Sequence, residues 1–408
     1  MKILLITWAC DRDDVSEPQI AYRWVREIAK RHDVTLFSVS RPERFGCVQE
    51  QFPDLPVIEW CDIRVPKALE RFRAIVKPGY FWYFRKARKF LKQFTQTNQF
   101  DLIHHLNPFA WRYASPAYGL GVPLVRGPLA GGLPTPEPLS AEVLEFFHPY
   151  KFLRISDWWR KKYDRTLNTS YQQTDCILGA APYVVDLLRP LPVKRFEIEI
   201  EHGLDELPVT GPLKKPRSVQ EKIHLLFVGR VIRTKGVRDA IRAVSFMESK
   251  RQVDFTVIGD GEDLRACRDL IKERNLDEVI TCRGWCSTEK VEQAYSEADI
   301  FLFPSFREPT GGVLLEAMSY GLPCVICDYG GPAYMVGENC GLKVAPSEPE
   351  TYARQIAAHL DRLVIDTGLR QRMGQEALHH ALNSFSWKEK MTRLDAVYRS
   401  LIKPRSVE

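Results

Sequence analysis

Short apolar runs alternate with amphipathic stretches along nearly the whole chain. Ile3 to Thr7 reads as a buried strand, a polar loop follows, and Ile20, Trp24 and Ile28 recur at helical spacing before the apolar run Val34 to Val39. That order is a β-α-β unit. Leu102-Ile103-His104, Pro123-Leu124-Val125 and Cys176 to Gly179 extend the series as further strands of an open parallel sheet. From Leu207 to Lys222 the pattern breaks into polar sequence bearing Pro208, Gly211, Pro212 and Pro216, a linker signal. A second alternating series follows: strands at Ile223 to Val228, Asp254 to Ile258, Val279 to Cys282, Ile300 to Pro304 and Pro323 to Cys327, with helices at Val237 to Glu248, Asp263 to Asn275, Glu289 to Glu297 and Gly312 to Tyr320. The pattern predicts an α/β protein of two doubly wound, Rossmann-like domains. The first spans 1–206, a linker 207–222, and the second 223–385, with a C-terminal helix, 386–408, packing back on the first. Doubly wound sheets take ligands beyond the carboxyl ends of their strands, so a central cleft faced by both domains is the expected site.

Composition narrows the class. With 408 residues, 45% hydrophobic and 27% charged, the chain has core material for two domains of about 200 residues. No run approaches the roughly 18 apolar residues needed to cross a bilayer. Met1 to Trp8 is too short, and too soon followed by Asp11, Arg12, Asp13 and Asp14, for a signal peptide, so it reads as the first strand. The ten cysteines are scattered, and the lone CxxC, Cys324 to Cys327, sits in an apolar run that favours buried core thiols over a metal or redox pair. The scatter suits a reducing cytoplasm. The net charge of +6 is modest but concentrated: Lys67, Arg71, Arg73, Lys77, Arg85, Lys86, Arg88, Lys89 and Lys92 surround Tyr80-Phe81-Trp82-Tyr83-Phe84, and Trp158-Trp159-Arg160-Lys161-Lys162-Tyr163 is a smaller cluster. Two readings stand side by side for 67–92: an anionic membrane surface as partner, or a helix with inward aromatics and solvated lysines. Nothing else points to nucleic acid.

The most informative segment is Glu308-Pro309-Thr310-Gly311-Gly312-Val313-Leu314-Leu315-Glu316. Glu308 falls in a strand-to-helix loop and Glu316 one to two turns into the helix. A helix opening at a glycine pair offers unpaired amides and a positive dipole end for a phosphate, and a nearby carboxylate accepts hydrogen bonds from sugar hydroxyls. That combination suits a nucleotide sugar. Glu316, flanked by Val313, Leu314, Leu315, Ala317 and Met318, is expected to need a polar partner. After the strand ending at Val228, Arg230 and Lys235 stand at a strand end and a helix start, where both reach one diphosphate and offset the charge that grows on it as it leaves. The phosphate-loop order Gly-x-x-x-x-Gly-Lys-Ser/Thr is absent. Gly259-Asp260-Gly261 and Gly330-Gly331 are weaker signals that turn geometry explains equally well. In the first half, His104 and His105 close a strand and Gly131-Gly132 follows the next one. These are acceptor-side candidates, with His104 the potential catalytic group.

Taken together, Gly229-Arg230, Lys235-Gly236, Gly259-Asp260-Gly261, Gly284, Ala298-Asp299, Pro304-Ser305, Glu308 to Gly311, Glu316-Ala317-Met318, Gly321-Leu322-Pro323 and Gly330-Gly331 resemble the donor domain of the family 4 retaining glycosyltransferases of GT-B fold. The resemblance implies that Arg230 and Lys235 grip the donor diphosphate, Glu316 binds the ribose and Glu308 touches the transferred sugar. It also implies that Thr310 and the backbone of Gly311, Gly312 and Val313 hold phosphate oxygens near Gly259, with Trp285 and Cys286 near the nucleobase. The first half matches only in outline. A glycine pair common after the first strand is replaced by Asp14-Val15-Ser16-Glu17, and a histidine common after the strand at Pro123 to Val125 is replaced by Arg126-Gly127-Pro128. The implied function is transfer of a sugar from a UDP- or GDP-sugar, with retention and without metal or other cofactor, to a glycan or lipid-linked acceptor in cell-surface or exopolysaccharide synthesis. The location would be cytoplasmic, peripheral on the inner membrane face. The alternatives are a nucleotide-sugar 2-epimerase and a non-catalytic nucleotide-sugar-binding subunit.

Overall fold

A computed structural model of the chain describes residues 1–14, 16–40, 47–62, 77, 79–144, 151–205 and 222–402. The linker expected at 207–222, save Lys222, and the basic positions Lys67, Arg71 and Arg73 lie outside the described residues, as does Val15. The chain divides into two compact units. One comprises Met1–Gly132, Pro149–Glu201 and Lys390–Glu408; the other comprises Leu133–His148 and His202–Glu389.

The first unit holds a seven-stranded parallel sheet of β1 (Lys2–Thr7), β2 (Asp33–Ser40), β3 (Val57–Cys61), β4 (Leu102–Asn107), β5 (Leu124–Leu129), β6 (Cys176–Gly179) and β7 (Phe196–Ile198). Its spatial order is β3-β2-β1-β4-β5-β6-β7. The direction of winding therefore reverses between β1 and β4. The central strands are buried along their length, as near-continuous apolar runs require when helices cover both faces. The helix Tyr80–Thr97 buries Tyr80, Tyr83, Ala87 and Leu91 at helical spacing, against a core that includes Leu4, Ile6, Trp8 and Phe37. The aromatic run is thus split, because Phe81 and Trp82 stay 55% and 70% exposed. The C-terminal helix Trp387–Leu401 joins this unit from Lys390 onward. Lys390 is fully buried, donating to Glu199 at 2.7 Å and to the Ile200 carbonyl, while Arg393 grips the same carboxylate at 2.9 and 3.0 Å.

The second unit holds a six-stranded parallel sheet of β8 (Ile223–Val228), β9 (Val253–Ile258), β10 (Ile280–Gly284), β11 (Ile300–Phe303), β12 (Cys324–Cys327) and β13 (Gly341–Val344), in the order β10-β9-β8-β11-β12-β13. Here the reversal lies between β8 and β11. Cys324 and Cys327 are buried free thiols within β12. Leu133 to Leu144 was expected in the first domain and instead groups with this unit. Specific bonds account for it. Arg307 donates to Thr135 Oγ1 at 3.0 Å, Tyr329 Oη donates to the Pro134 carbonyl, and Glu142 accepts from Arg233 Nε at 2.7 Å. Arg233 is buried and also bonded to Asp239, so Glu142 completes the neutralisation of a charge that desolvation would otherwise penalise.

The split of the aromatic run gives a paired stability test. Leu91→Ala should lower the urea-derived stability of the first unit by about 2–5 kcal/mol, whereas Trp82→Ala should stay within about 0.5 kcal/mol of wild type. Equal losses would show that Trp82 is packed.

Candidate active site

The reversal between β8 and β11 opens a crevice at the carboxyl edge of the second sheet, where loops of an α/β sheet receive ligands. The loop after β8 carries Arg230 and the 3-10 turn Arg233–Lys235; the loop after β11 carries Glu308. These two loops are held against each other. Ser305 Oγ donates to the Thr234 carbonyl at 3.1 Å, and Gly236 adopts a left-handed conformation with no room for a side chain, since a Cβ would lie 2.2 Å from the Pro304 carbonyl oxygen. The loop after β12 closes a third side. Gly331 N–H donates to the Glu308 carbonyl at 2.9 Å, and a Cβ on left-handed Gly330 would fall 2.6 Å from that oxygen. Gly330-Gly331, ambiguous in sequence, thus fixes the backbone of Glu308.

The resulting contact joins two residues 73 positions apart. The Lys235 ammonium donates directly to Glu308 Oε2. Both are largely shielded, with side chains 15% and 10% exposed. Burial first, and then the charge of Arg230, push Lys235 down to about 7. A carboxylate beside an ammonium favours its charged form, so Glu308 opposes that shift. Arg230 is exposed, and its side chain has no hydrogen bond or ion pair among the described residues. It is a cation facing solvent beside a buried one.

Helix Gly312–Ser319 starts at this edge, with Gly311 left-handed at its N-cap. In its first turn the Leu314 amide donates to the Gly311 carbonyl at 2.9 Å, while the amides of Gly312 and Val313 precede the helix's own carbonyls. Thr310 is buried and Val313 half-buried. Glu316 is exposed, which differs from the burial implied by its apolar neighbours: those residues occupy the covered face of the helix and Glu316 the open one. It does receive a partner, since buried Tyr295 donates its hydroxyl to Glu316 Oε2 at 3.1 Å. Burial and then the Glu316 charge push that phenol well above its ordinary range, so it remains a donor. Gly259 follows β9 and donates its N–H to the Gly284 carbonyl at 2.8 Å, which brings the Trp285-Cys286 turn to the same sheet edge. Trp285 is 79% exposed and Cys286 half-buried.

Two residues near this edge have no sequence signal. His202 lies over the helix start, its ring about 3 Å from where a Cβ on Gly312 would sit, so only glycine leaves that space. Tyr295 belongs to a helix whose register gives no hint of Glu316, which is 21 positions away.

The first unit revises the acceptor-side expectations. His104 is fully buried in β4, with Nε2 2.7 Å from the Gly127 carbonyl and Nδ1 2.5 Å from Tyr398 Oη. A carbonyl only accepts, so Nε2 carries the proton and Nδ1 accepts from Tyr398. Burial pushes His104 down to about 4. A neutral imidazole with both nitrogens committed cannot serve as the catalytic base, so His104 is a structural clamp on the C-terminal helix. His105 is also buried and driven well below its usual range by burial and by Arg126, out of reach of an acceptor. Central parallel strands are covered on both faces, which explains both outcomes. After β5 the glycine pair divides: a Cβ on Gly131 would meet nothing within 4 Å, whereas one on Gly132 would fall 2.7 Å from the Leu187 side chain and 3.1 Å from Trp111 Nε1. Among the described residues, no three His, Cys, Asp or Glu side chains are placed to hold a metal ion.

Comparison with known proteins agrees with this architecture. Residues 213–380 match the model of glycosyl transferases group 1, and residues 19–202 match glycosyltransferase family 4. The chain belongs to the family 4, group 1 glycosyltransferases. It is 34% identical over 180 residues to the D-inositol 3-phosphate glycosyltransferase of Corynebacterium efficiens, covering 42% of this chain and 41% of that one. It is 27% identical over 210 residues to the alpha-D-kanosaminyltransferase of Streptomyces kanamyceticus, covering 51% and 50%. The chain thus spans about half the length of these curated relatives. Among solved structures it is similar in fold to sucrose-phosphate synthase from Thermosynechococcus elongatus (TM-score 0.66, 19% identity, 98% of both chains). It is also similar to Anabaena HepE in complex with UDP-glucose (TM-score 0.61, 19% identity, 98% of this chain and 100% of that one). The fold is therefore of the GT-B type.

Proposed function

We propose that the protein moves a sugar from a UDP- or GDP-sugar to an acceptor hydroxyl, with retention of anomeric configuration, in glycan assembly. The observation that carries this is the Lys235–Glu308 contact beside exposed Arg230 at the β8/β11 reversal. In this reading the donor diphosphate takes Lys235 and Arg230 as counter-charges and the Gly311-Gly312-Val313 helix start for its remaining oxygens. That exchange releases Glu308 toward the sugar hydroxyls. Glu316, oriented by Tyr295, accepts from the ribose, and Trp285 offers its exposed ring to the base. The acceptor oxygen bonds to the anomeric carbon as the carbon–phosphate oxygen bond breaks, and its proton passes to the leaving phosphate on the same face. Arg230 and Lys235 offset the departing charge, so no metal is invoked. The HepE structure is a complex with UDP-glucose, and the relatives' names are those of glycosyltransferases, which supports the donor class. An epimerase would need acid and base groups in the first unit, and His104 and His105 do not supply them.

Donor titration separates these roles. Arg230→Ala should weaken nucleotide-sugar binding about 10- to 100-fold, equivalent to about 1.5–3 kcal/mol for a charge-assisted contact. Glu308→Gln should bind donor but lose turnover, and EDTA should change neither binding nor turnover of wild type. If wild type binds no UDP- or GDP-sugar, or Arg230→Ala binds as well as wild type, the proposal fails; binding without turnover indicates a non-catalytic subunit.

The position of Lys235 sets a pH dependence. The sugar diphosphate diester does not titrate between pH 6 and 9, while Lys235 loses its ammonium as pH rises through about 7. Affinity for UDP-glucose should therefore fall with rising pH, by up to about tenfold per unit, with proton uptake on binding. Lys235→Arg, charged throughout, should flatten the profile; an unchanged slope would assign the titration elsewhere.

A cytoplasmic, membrane-peripheral location completes the reading. Phe81, Trp82, Trp158 and Trp159 are each more than half exposed, close in sequence to Arg85, Lys86, Lys89, Lys161 and Lys162, and no helix among the described residues is long and apolar enough to cross a membrane. Flotation on anionic phosphatidylglycerol liposomes should drop when Trp82, Trp158 and Trp159 are replaced by alanine, and undiminished flotation would exclude this surface.

A further inference from the structure

Within the first unit, at the carboxyl edge of its own sheet, lies a cavity of about 380 Å³ lined by Lys77, Tyr80, Arg85, Arg112, Tyr113 and Arg160 among others. It belongs to the β1/β4 reversal, as the crevice rule requires. Arg112 and Tyr113 follow β4, and Tyr80 packs on Trp8, just past β1, at 5.3 Å and on Tyr113 at 4.8 Å. Its volume falls in the roughly 300–1,000 Å³ range of small-molecule sites.

The charge balance of this cavity is uneven. Glu17 engages Lys77 at 2.9 Å, Asp157 engages Arg112 through Nε at 2.6 Å, and Asp164 engages Arg160 at 3.1 Å. Arg85 has no acid: its guanidinium rests 4.5 Å over the Phe81 ring, with no ion pair among the described residues. A second unmatched cation lies behind the wall. Arg126 is 1% exposed, and Nε and both terminal nitrogens lack a hydrogen-bond partner among the described residues. Its guanidinium sits 4.7 Å over the Tyr171 ring and near the Tyr171 hydroxyl, which donates to the Trp111 carbonyl at 2.8 Å, and no acid pairs with it among the described residues. Its charge also reaches the cavity-lining Tyr80 phenol. A buried guanidinium with no acid is costly, and an anion in the adjoining cavity would offset that cost.

We propose that this cavity receives a phosphate group carried by the acceptor, with Arg85, Arg112 and Arg160 as its ligands and Arg126 supplying field from behind Tyr80. The proposal rests on the transferase reading and specifies the acceptor class. A phosphorylated soluble sugar and a lipid-linked phosphate share this chemistry, and the exposed Phe81 beside the cavity offers an alkyl chain a place to lie.

Calorimetric titration of the full chain with glucose 6-phosphate, dodecyl phosphate, neutral glucose and, separately, UDP-glucose tests it. Wild type should bind at least one phosphate probe and not glucose. Arg85→Ala, an exposed position with little packing, should weaken that binding about tenfold. Arg126→Met should do the same while keeping or raising thermal stability, an outcome that a purely structural arginine would not give. UDP-glucose affinity, read on the other unit, is the control for fold and donor binding. Binding of glucose 6-phosphate alone assigns a soluble acceptor, and dodecyl phosphate alone a lipid headgroup. If UDP-glucose binds but neither phosphate probe does, or if Arg85→Ala binds phosphate as wild type, the cavity proposal is overturned and the transferase reading stands. If the phosphate probes bind and neither UDP-glucose nor any other UDP- or GDP-sugar does, the donor reading falls and the cavity stands.

Discussion

An ammonium and a carboxylate meet where the second sheet reverses its winding, and most of the surrounding backbone serves that meeting. Lys235 and Glu308 come from loops after different strands, so their contact exists only if β8 and β11 are neighbours and both loops hold their shape. Gly236 lets the first loop press on Pro304, and Gly330-Gly331 fastens the second from below. A shielded pair of this kind repays its own desolvation only in part, so it adds little net stability. Its value is positional. It stores a cation and an anion side by side with neither fully satisfied by water, ready to be separated by a ligand that offers each a better partner.

The two units share a design and differ in how they use charge. In the second, an exposed arginine and a shielded lysine wait at a helix start. In the first, three of the arginine and lysine side chains around the cavity are already answered by acids, and the surplus is held by Arg85 over an aromatic ring and by Arg126 in the interior. Phosphate chemistry would suit both edges, but through different means: backbone amides and a movable ion pair in one, guanidinium groups and aromatic walls in the other.

How much of this was legible in the chain depended on the distance over which each feature is determined. Central strands such as Ile3 to Thr7 and Ile300 to Phe303 announce themselves because burial on both faces demands unbroken apolar runs. Val57–Cys61, Phe196–Ile198 and Gly341–Val344 went unread: they are short, and the first two are half-buried, so their sequences carry no such demand. That Arg230, Lys235 and Glu308 stand in loops just past strand ends was readable, because strand-end loops are local. Tyr295, His202 and Glu142 were not, since each acts on a residue fixed by tertiary structure, Glu142 on an arginine 91 positions away. The histidines were misread for a related reason. His104 looks like a strand-end catalytic group until Tyr398, 294 positions on, occupies it.

The fate of Lys390 has a temporal side. Its ammonium is the buried counter-charge of Glu199, and 191 residues separate them. At a synthesis rate of about 5–20 residues per second, Glu199 is joined to the chain roughly 10–40 s before its partner exists. During that interval the first sheet lacks the helix that caps it, His104 lacks Tyr398, and residues 202–389 of the second unit are being made. The unit that begins the chain is thus the last to be finished, and its completion reports that everything between has been synthesised.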